Sequence, residues 1–140
     1  MTVPAHLSLV TLGVRDVAAA TSFYESLGWQ RLGGSQGEIS FFQVGAVVLG
    51  LFGRDALALD ATVPAGGSGF RGVSLAINMA TPELVDAAVV SWAAVGGTVV
   101  KQPHSVFWGG YSGYVSDPDG HLWELAFNPM SPEWAAPHPS

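Results

Sequence analysis

Apolar residues fill positions 7–14 without an internal breaker, and the valines and threonine among them predict a strand. Asp16 follows as a helix N-cap. Val17, Ala20, Phe23, Tyr24 and Leu27 then share one helical face, and Gly28 marks the stop. Residues 29–32, 38–42 and 46–52 read as three short strands parted by glycine turns. Residues 53–69 hold Pro64 and Gly66-Gly67 and read as a connecting loop. The order then starts again. A strand over 73–77 precedes Thr81-Pro82-Glu83, an N-cap with proline at the first helical position. Val85, Ala88, Val89 and Trp92 continue on one helix face to Gly96-Gly97. A strand over 98–101 comes next. Strands over 111–116 and 122–127 then flank the turn Asp117-Pro118-Asp119-Gly120. Residues 128–140 carry four prolines and read as an extended tail.

The repetition extends to residues. Val10-Thr11-Leu12-Gly13-Val14 returns as Val73-Ser74-Leu75-Ala76-Ile77, and residues 45–52 return as 120–127. Two βαβββ modules are the simplest reading. Module one covers about 5–53, a linker about 54–70, module two about 71–129 and a tail 130–140. Together they make a single α+β domain over 1–140.

Composition narrows the function. With 49% hydrophobic and 11% charged residues, the 140-residue chain is neither a solvated disordered segment nor a coiled coil. The formal net charge is −6, Lys101 is the single lysine, and no basic cluster exists to track phosphates, so nucleic acid is not an expected partner. Cysteine is absent, so a metal would have to be held by His, Asp or Glu. The longest uncharged apolar stretch, 41–53, is well short of the roughly 20 residues of a membrane span. The first residues, MTVPAHLSLV, lack the basic region of a signal peptide. A cytoplasmic protein without a membrane partner is expected.

The string Leu12-Gly13-Val14-Arg15-Asp16-Val17, followed by Ser22-Phe23-Tyr24-Glu25-Ser26-Leu27-Gly28, resembles the start of vicinal oxygen chelate proteins. That superfamily includes glyoxalase I, bleomycin and fosfomycin resistance proteins, methylmalonyl-CoA epimerase and extradiol dioxygenases. Phe107-Trp108-Gly109-Gly110-Tyr111-Ser112-Gly113-Tyr114 and Asp117-Pro118-Asp119-Gly120-His121-Leu122-Trp123-Glu124-Leu125 resemble it more closely still. The likeness implies two βαβββ modules whose curved mixed sheets form a cup-shaped pocket with the helices outside, and a homodimer. It also implies metal-ligand positions at Leu9, Leu49 or an immediate neighbour, Gly72 and Glu124. Only Glu124 could donate. His6 and His121 fall on the wrong strand face, His138 lies in the tail, and His104 alone is placed where it could swing inward. No cofactor is therefore expected. In the alternative, a divalent metal would rest on Glu124 and His104.

Strand alternation, with Glu124 facing inward, turns Leu122 and Ala126 inward and Trp123, Leu125 and Phe127 toward the helices. The same rule turns Leu7, Leu9 and Thr11 inward, with Val47, Leu49 and Leu51 on the fourth strand and Gly72, Ser74 and Ala76 on the fifth. A two-residue tip at Pro118-Asp119 would set Gly113 opposite Glu124. It would turn Tyr111 inward and leave Tyr114 beside Trp123 on the helix side. Gly72, Gly109, Gly110 and Gly113 would leave space near Glu124, and Asp117 and Asp119 would face solvent as turn residues. The expected ligand-binding residues are Leu9, Thr11, Leu49, Ser74, Trp108, Tyr111 and Glu124. Glu124 reads three ways: general acid or base with Tyr111, counter-charge for a cationic ligand, or structural carboxylate. The leading expectation is a resistance-type protein holding a small, mostly apolar compound, cationic in one reading, in a metal-free cup. An enzyme of the same superfamily (lyase, isomerase or dioxygenase) using Glu124 is the alternative, and an accessory dimeric module is the third.

Overall fold

A computed structural model describes residues 2–33 and 38–137. They form an α+β fold with two compact units, Met1–Gly67 and Ser68–Ser140. The first unit holds β1 (Leu9–Val14), α1 (Val17–Ser26), β2 (Ile39–Val44), β3 (Val47–Gly53) and α2 (Arg54–Ala61). The second holds β4 (Leu75–Met79), α3 (Pro82–Ala94), β5 (Thr98–Ser105), β6 (Tyr111–Ser116) and β7 (Leu122–Phe127). Each unit has one mixed sheet. The strand orders are β1-β3-β2 and β4-β7-β6-β5, with β1–β3 and β4–β7 parallel.

The two long helices are built by the same local chemistry, which is why their signals repeat. Asp16 Oδ1 accepts from Ala19 N at 3.1 Å, and Thr81 Oγ1 accepts from Leu84 N at 3.2 Å. Each satisfies one of the donors a helix start leaves unpaired. Both helices end in the same closing motif. Gly28 and Trp29 donate to the carbonyls of Glu25 and Tyr24, and Gly96 and Gly97 donate to those of Ala93 and Trp92. Gly28 and Gly96 take φ of +91° and +105°, where a Cβ would be strained.

In the first unit α1 packs on Leu12, Val14, Phe42, Leu49 and Leu51, all nearly or fully buried. Thr21 on α1 reaches the same sheet face, its hydroxyl hydrogen-bonded to Ser40 Oγ at 2.7 Å. In the second unit Val85, Val89 and Trp92 of α3 cover Val115, Trp123 and Leu125. Trp92 and Trp123 lie 5.7 Å apart between ring centres. The indole Nε1 of Trp92 donates to the Ser116 carbonyl at 2.8 Å.

The structure departs from the sequence reading in several segments, and β5 runs on to Ser105 past the expected 98–101. The expected loop 53–69 contains α2. Its run Arg-Asp-Ala-Leu-Ala-Leu-Asp-Ala is rich in helix formers, and the breakers Pro64 and Gly66-Gly67 lie beyond it. Arg54 then ties the following chain back, donating to the Ala65 and Gly67 carbonyls at 2.9 and 3.2 Å. The expected strand 29–32 is reduced to one bridge, Arg31 to Phe42. The N–H of Trp29 is already spent on the α1 terminus, and its ring stacks on Tyr24 at 5.2 Å. The tail is not simply extended. It makes a 3₁₀ turn at Pro132–Trp134, and Ala136 N donates to Asn78 O at 2.7 Å on the outer edge of β4. His138 lies outside the described residues.

Candidate functional site

The β6–β7 hairpin matches its expected bounds, but its register is one residue away from the expected one. Ser116 pairs with Leu122, not His121, so Gly113 faces Leu125 and Tyr114 faces Glu124. Asp117 causes the shift. Its Oδ1 accepts from both Asp119 N and His121 N at 2.9 Å, and its own N–H bonds the His121 carbonyl at 3.1 Å. The connection therefore takes five residues, 117–121. Asp117 is buried, not solvent-facing as expected.

This register exchanges the two tyrosines. Tyr111 pairs with Phe127 on the α3 side, and its hydroxyl donates to Asp86 Oδ1 of α3 at 2.6 Å. Tyr114, expected beside Trp123, stands with Glu124 on the opposite face. Leu122 and Ala126 share that face as expected, and Ala76 of β4 lies next to Glu124. Trp123 is core, again as expected.

The row continues outward to β5. Lys101 pairs with Tyr114, and His104 pairs with Ser112 one step along. Two register shifts in β5, between Val99 and Lys101 and between Lys101 and His104, bring this about, and Gly113 permits the second. A Cβ there would stand 2.8 Å from both Lys101 O and Pro103 N. Gly113 and Gly110 were expected to leave space beside Glu124; instead both are covered. The Trp108 ring lies on Gly110, whose Cβ would meet its carbons at 2.3–2.8 Å. Gly110 shares the strand alternation of Ser112 and Tyr114, so the indole forms an aromatic wall at the end of the Glu124 face. Ser74, just before β4, alternates onto the same face and is exposed.

The first unit has a matching row without the carboxylate. On the face turned away from α1, Thr11 pairs with Gly50 and Gly50 with Phe41. A Cβ at Gly50 would lie 3.2 Å from Thr11 Oγ1 and 3.4 Å from the Phe41 ring. Gly50, the immediate neighbour of Leu49, is thus the residue that faces away from the helix as Glu124 does. Leu49 was expected on this face but is buried on the α1 side, because β3 alternates one residue out of step with that expectation. Leu9 shares the Thr11 face. The ligand positions that the resemblance implies hold leucine and glycines besides Glu124, a donor set that does not fit a divalent cation. Among the described residues no three His, Cys, Asp or Glu side chains stand close enough to hold a metal ion.

A family model for the glyoxalase/bleomycin resistance protein/dioxygenase superfamily matches residues 6–125. The chain belongs to that superfamily. A glyoxalase-related enzyme from Fulvimarina pelagi is 34% identical, with 91% of each chain covered and a TM-score of 0.80. A lactoylglutathione lyase from Agrobacterium tumefaciens is 26% identical over 89% of this chain and 95% of its own, with a TM-score of 0.68. A superfamily enzyme from Burkholderia phytofirmans PsJN, at 23% identity, covers 88% of this chain and 98% of its own with a TM-score of 0.79, a likeness of fold. A search of curated proteins finds no match. No helix among the described residues is long and apolar enough to cross a membrane.

Both tyrosines of the β6 strand hold their protons more tightly than a free phenol. For Tyr111 the main cause is its hydrogen bond to Asp86, then desolvation and the charges of Asp86 and Glu83. For Tyr114 it is burial, then the charge of Glu124. A neutral phenol favoured by the fold stabilises it fully below about pH 10, and that contribution is lost as pH rises through the higher folded value. Between pH 9 and pH 11, Tyr114→Phe should lose less stability than the parent in urea titrations. Equal losses would show that Tyr114 ionises as freely in the fold as outside it.

Proposed function

We propose that this superfamily member is a small-molecule-binding protein that grips its ligand with the Glu124 carboxylate and the Tyr114 phenol instead of a metal. The observation that carries this reading is the Tyr114–Glu124 pair on the face turned away from α3. The pair is bordered by apolar Ala76, Leu122 and Ala126, and Trp108 walls the end of the face. Such a surface suits a mostly apolar compound carrying one cationic group. The carboxylate supplies the counter-charge, and the Tyr114 ring supplies an aromatic face. The role is of the sequestering kind found in resistance proteins, carried out in the cytoplasm by a homodimer.

A thermal-shift panel of aromatic cations, with calorimetry on benzylamine, tests the reading. Glu124→Gln should weaken benzylamine binding by about tenfold or more, the worth of one charged hydrogen bond. Unchanged affinity in that variant, or no shift across the panel with the fold intact, would overturn it. The same pair also favours a second reading, proton transfer. A neutral phenol beside a carboxylate is a donor next to an acceptor. In that case Glu124→Gln abolishes turnover of a bound substrate while its binding persists.

A further inference from the structure

The residues that frame Glu124 do not all carry one sign of charge. Lys101, Tyr114 and Glu124 occupy one row on three neighbouring strands. Strands lie about 4.8 Å apart, so the lysine and glutamate backbones are separated by roughly 10 Å with the phenol between them. No ion pair joins the two charges in the structure. His104 and Ser112 lie in the next row on the same side as Lys101. The face thus runs from a basic edge, across hydroxyls, to an acid.

An edge strand often carries a lysine simply to discourage pairing with other chains. That explains Lys101 alone. It does not explain why β5 breaks register between Val99 and Lys101, which sets the chain's single lysine opposite Tyr114, and again between Lys101 and His104, which brings His104 opposite Ser112.

We infer that the ligand of this face is a zwitterion, its carboxylate held at the β5 edge by Lys101 and its ammonium by Glu124, with an apolar ring or short chain lying across Tyr114. This inference rests on the binding reading above and names the class of compound bound. His104 and Ser112 are placed to donate further hydrogen bonds to the carboxylate.

Calorimetry with three probes separates the two ideas: benzylamine, 4-(aminomethyl)benzoate and its neutral amide, 4-(aminomethyl)benzamide. The acid should bind about fivefold tighter than the amide at low salt, a gain typical of a partly exposed charge pair. High salt should erode that gain. Lys101→Met should bring the acid down to the affinity of the amide, and Glu124→Gln should weaken both. Equal binding of acid and amide, or a preference for the acid that survives Lys101→Met, overturns the zwitterion. If benzylamine binds through Glu124 while the carboxylate adds nothing, only this inference falls. If benzylamine does not bind at all, both readings fall.

Discussion

Trp92→Ala should destabilise the protein by about 3–5 kcal/mol, the usual cost of emptying a large buried aromatic site. Trp92 is 2% exposed, packs on Trp123 and bonds the Ser116 carbonyl. Its removal leaves a cavity between α3 and the sheet and strands a buried acceptor. A domain of this size has only about 5–15 kcal/mol of stability, so much of it goes with this one side chain. The urea midpoint of the variant is the measurement. Trp92→Phe keeps most of the volume and loses the hydrogen bond, so it should cost much less. Equal losses for the two variants would mean that packing on Trp123 contributes little.

Gly97→Ala is the second large effect, and it acts through the same indole. A Cβ at Gly97 would stand 2.1 Å from Trp92 Cδ1, 2.4 Å from its Nε1 and 3.0 Å from Ser116 O. No rotamer relieves a methyl fixed to the backbone, so the indole must leave its place. Overpacking of this kind costs about 1–3 kcal/mol or more. The loss of the Trp92–Ser116 bond adds to it. Once Trp92 is alanine, the two closest contacts are gone and only the Ser116 carbonyl at 3.0 Å still presses on the methyl. The two substitutions should therefore be non-additive by more than about 1 kcal/mol in a double-mutant cycle. Strict additivity would show that Gly97 is needed for another reason.

The helices were legible in the sequence because their termini are set by local chemistry. Asp16 and Thr81 cap through their own side chains, and Gly28 and Gly96 close the other ends. Such signals need no knowledge of distant residues. α2 was hidden by the breakers just after it. The hairpin strands were legible, yet their register was not, since it depends on how many residues the turn consumes. Asp117 carried that information, because an aspartate can accept the N–H groups that follow it and widen a turn. Reading it as a plain turn residue moved every side chain of β6 to the wrong face. Glu124 was found because it is the one acid on its strand. Tyr114 and Lys101 were missed because one depends on that register and the other on the shift between Val99 and Lys101 within β5, which the run Thr98-Val99-Val100-Lys101 does not announce.

Gly50 limits change in the first unit. It faces away from the helix as Glu124 does in β7, but it is closed over by Thr11 and Phe41. An aspartate or glutamate there would push against the threonine oxygen and the phenyl ring. Positions 50 and 11 are therefore coupled: a side chain at Gly50 needs Thr11 Oγ1 to give by a few tenths of an ångström, and Thr11→Ala removes that demand.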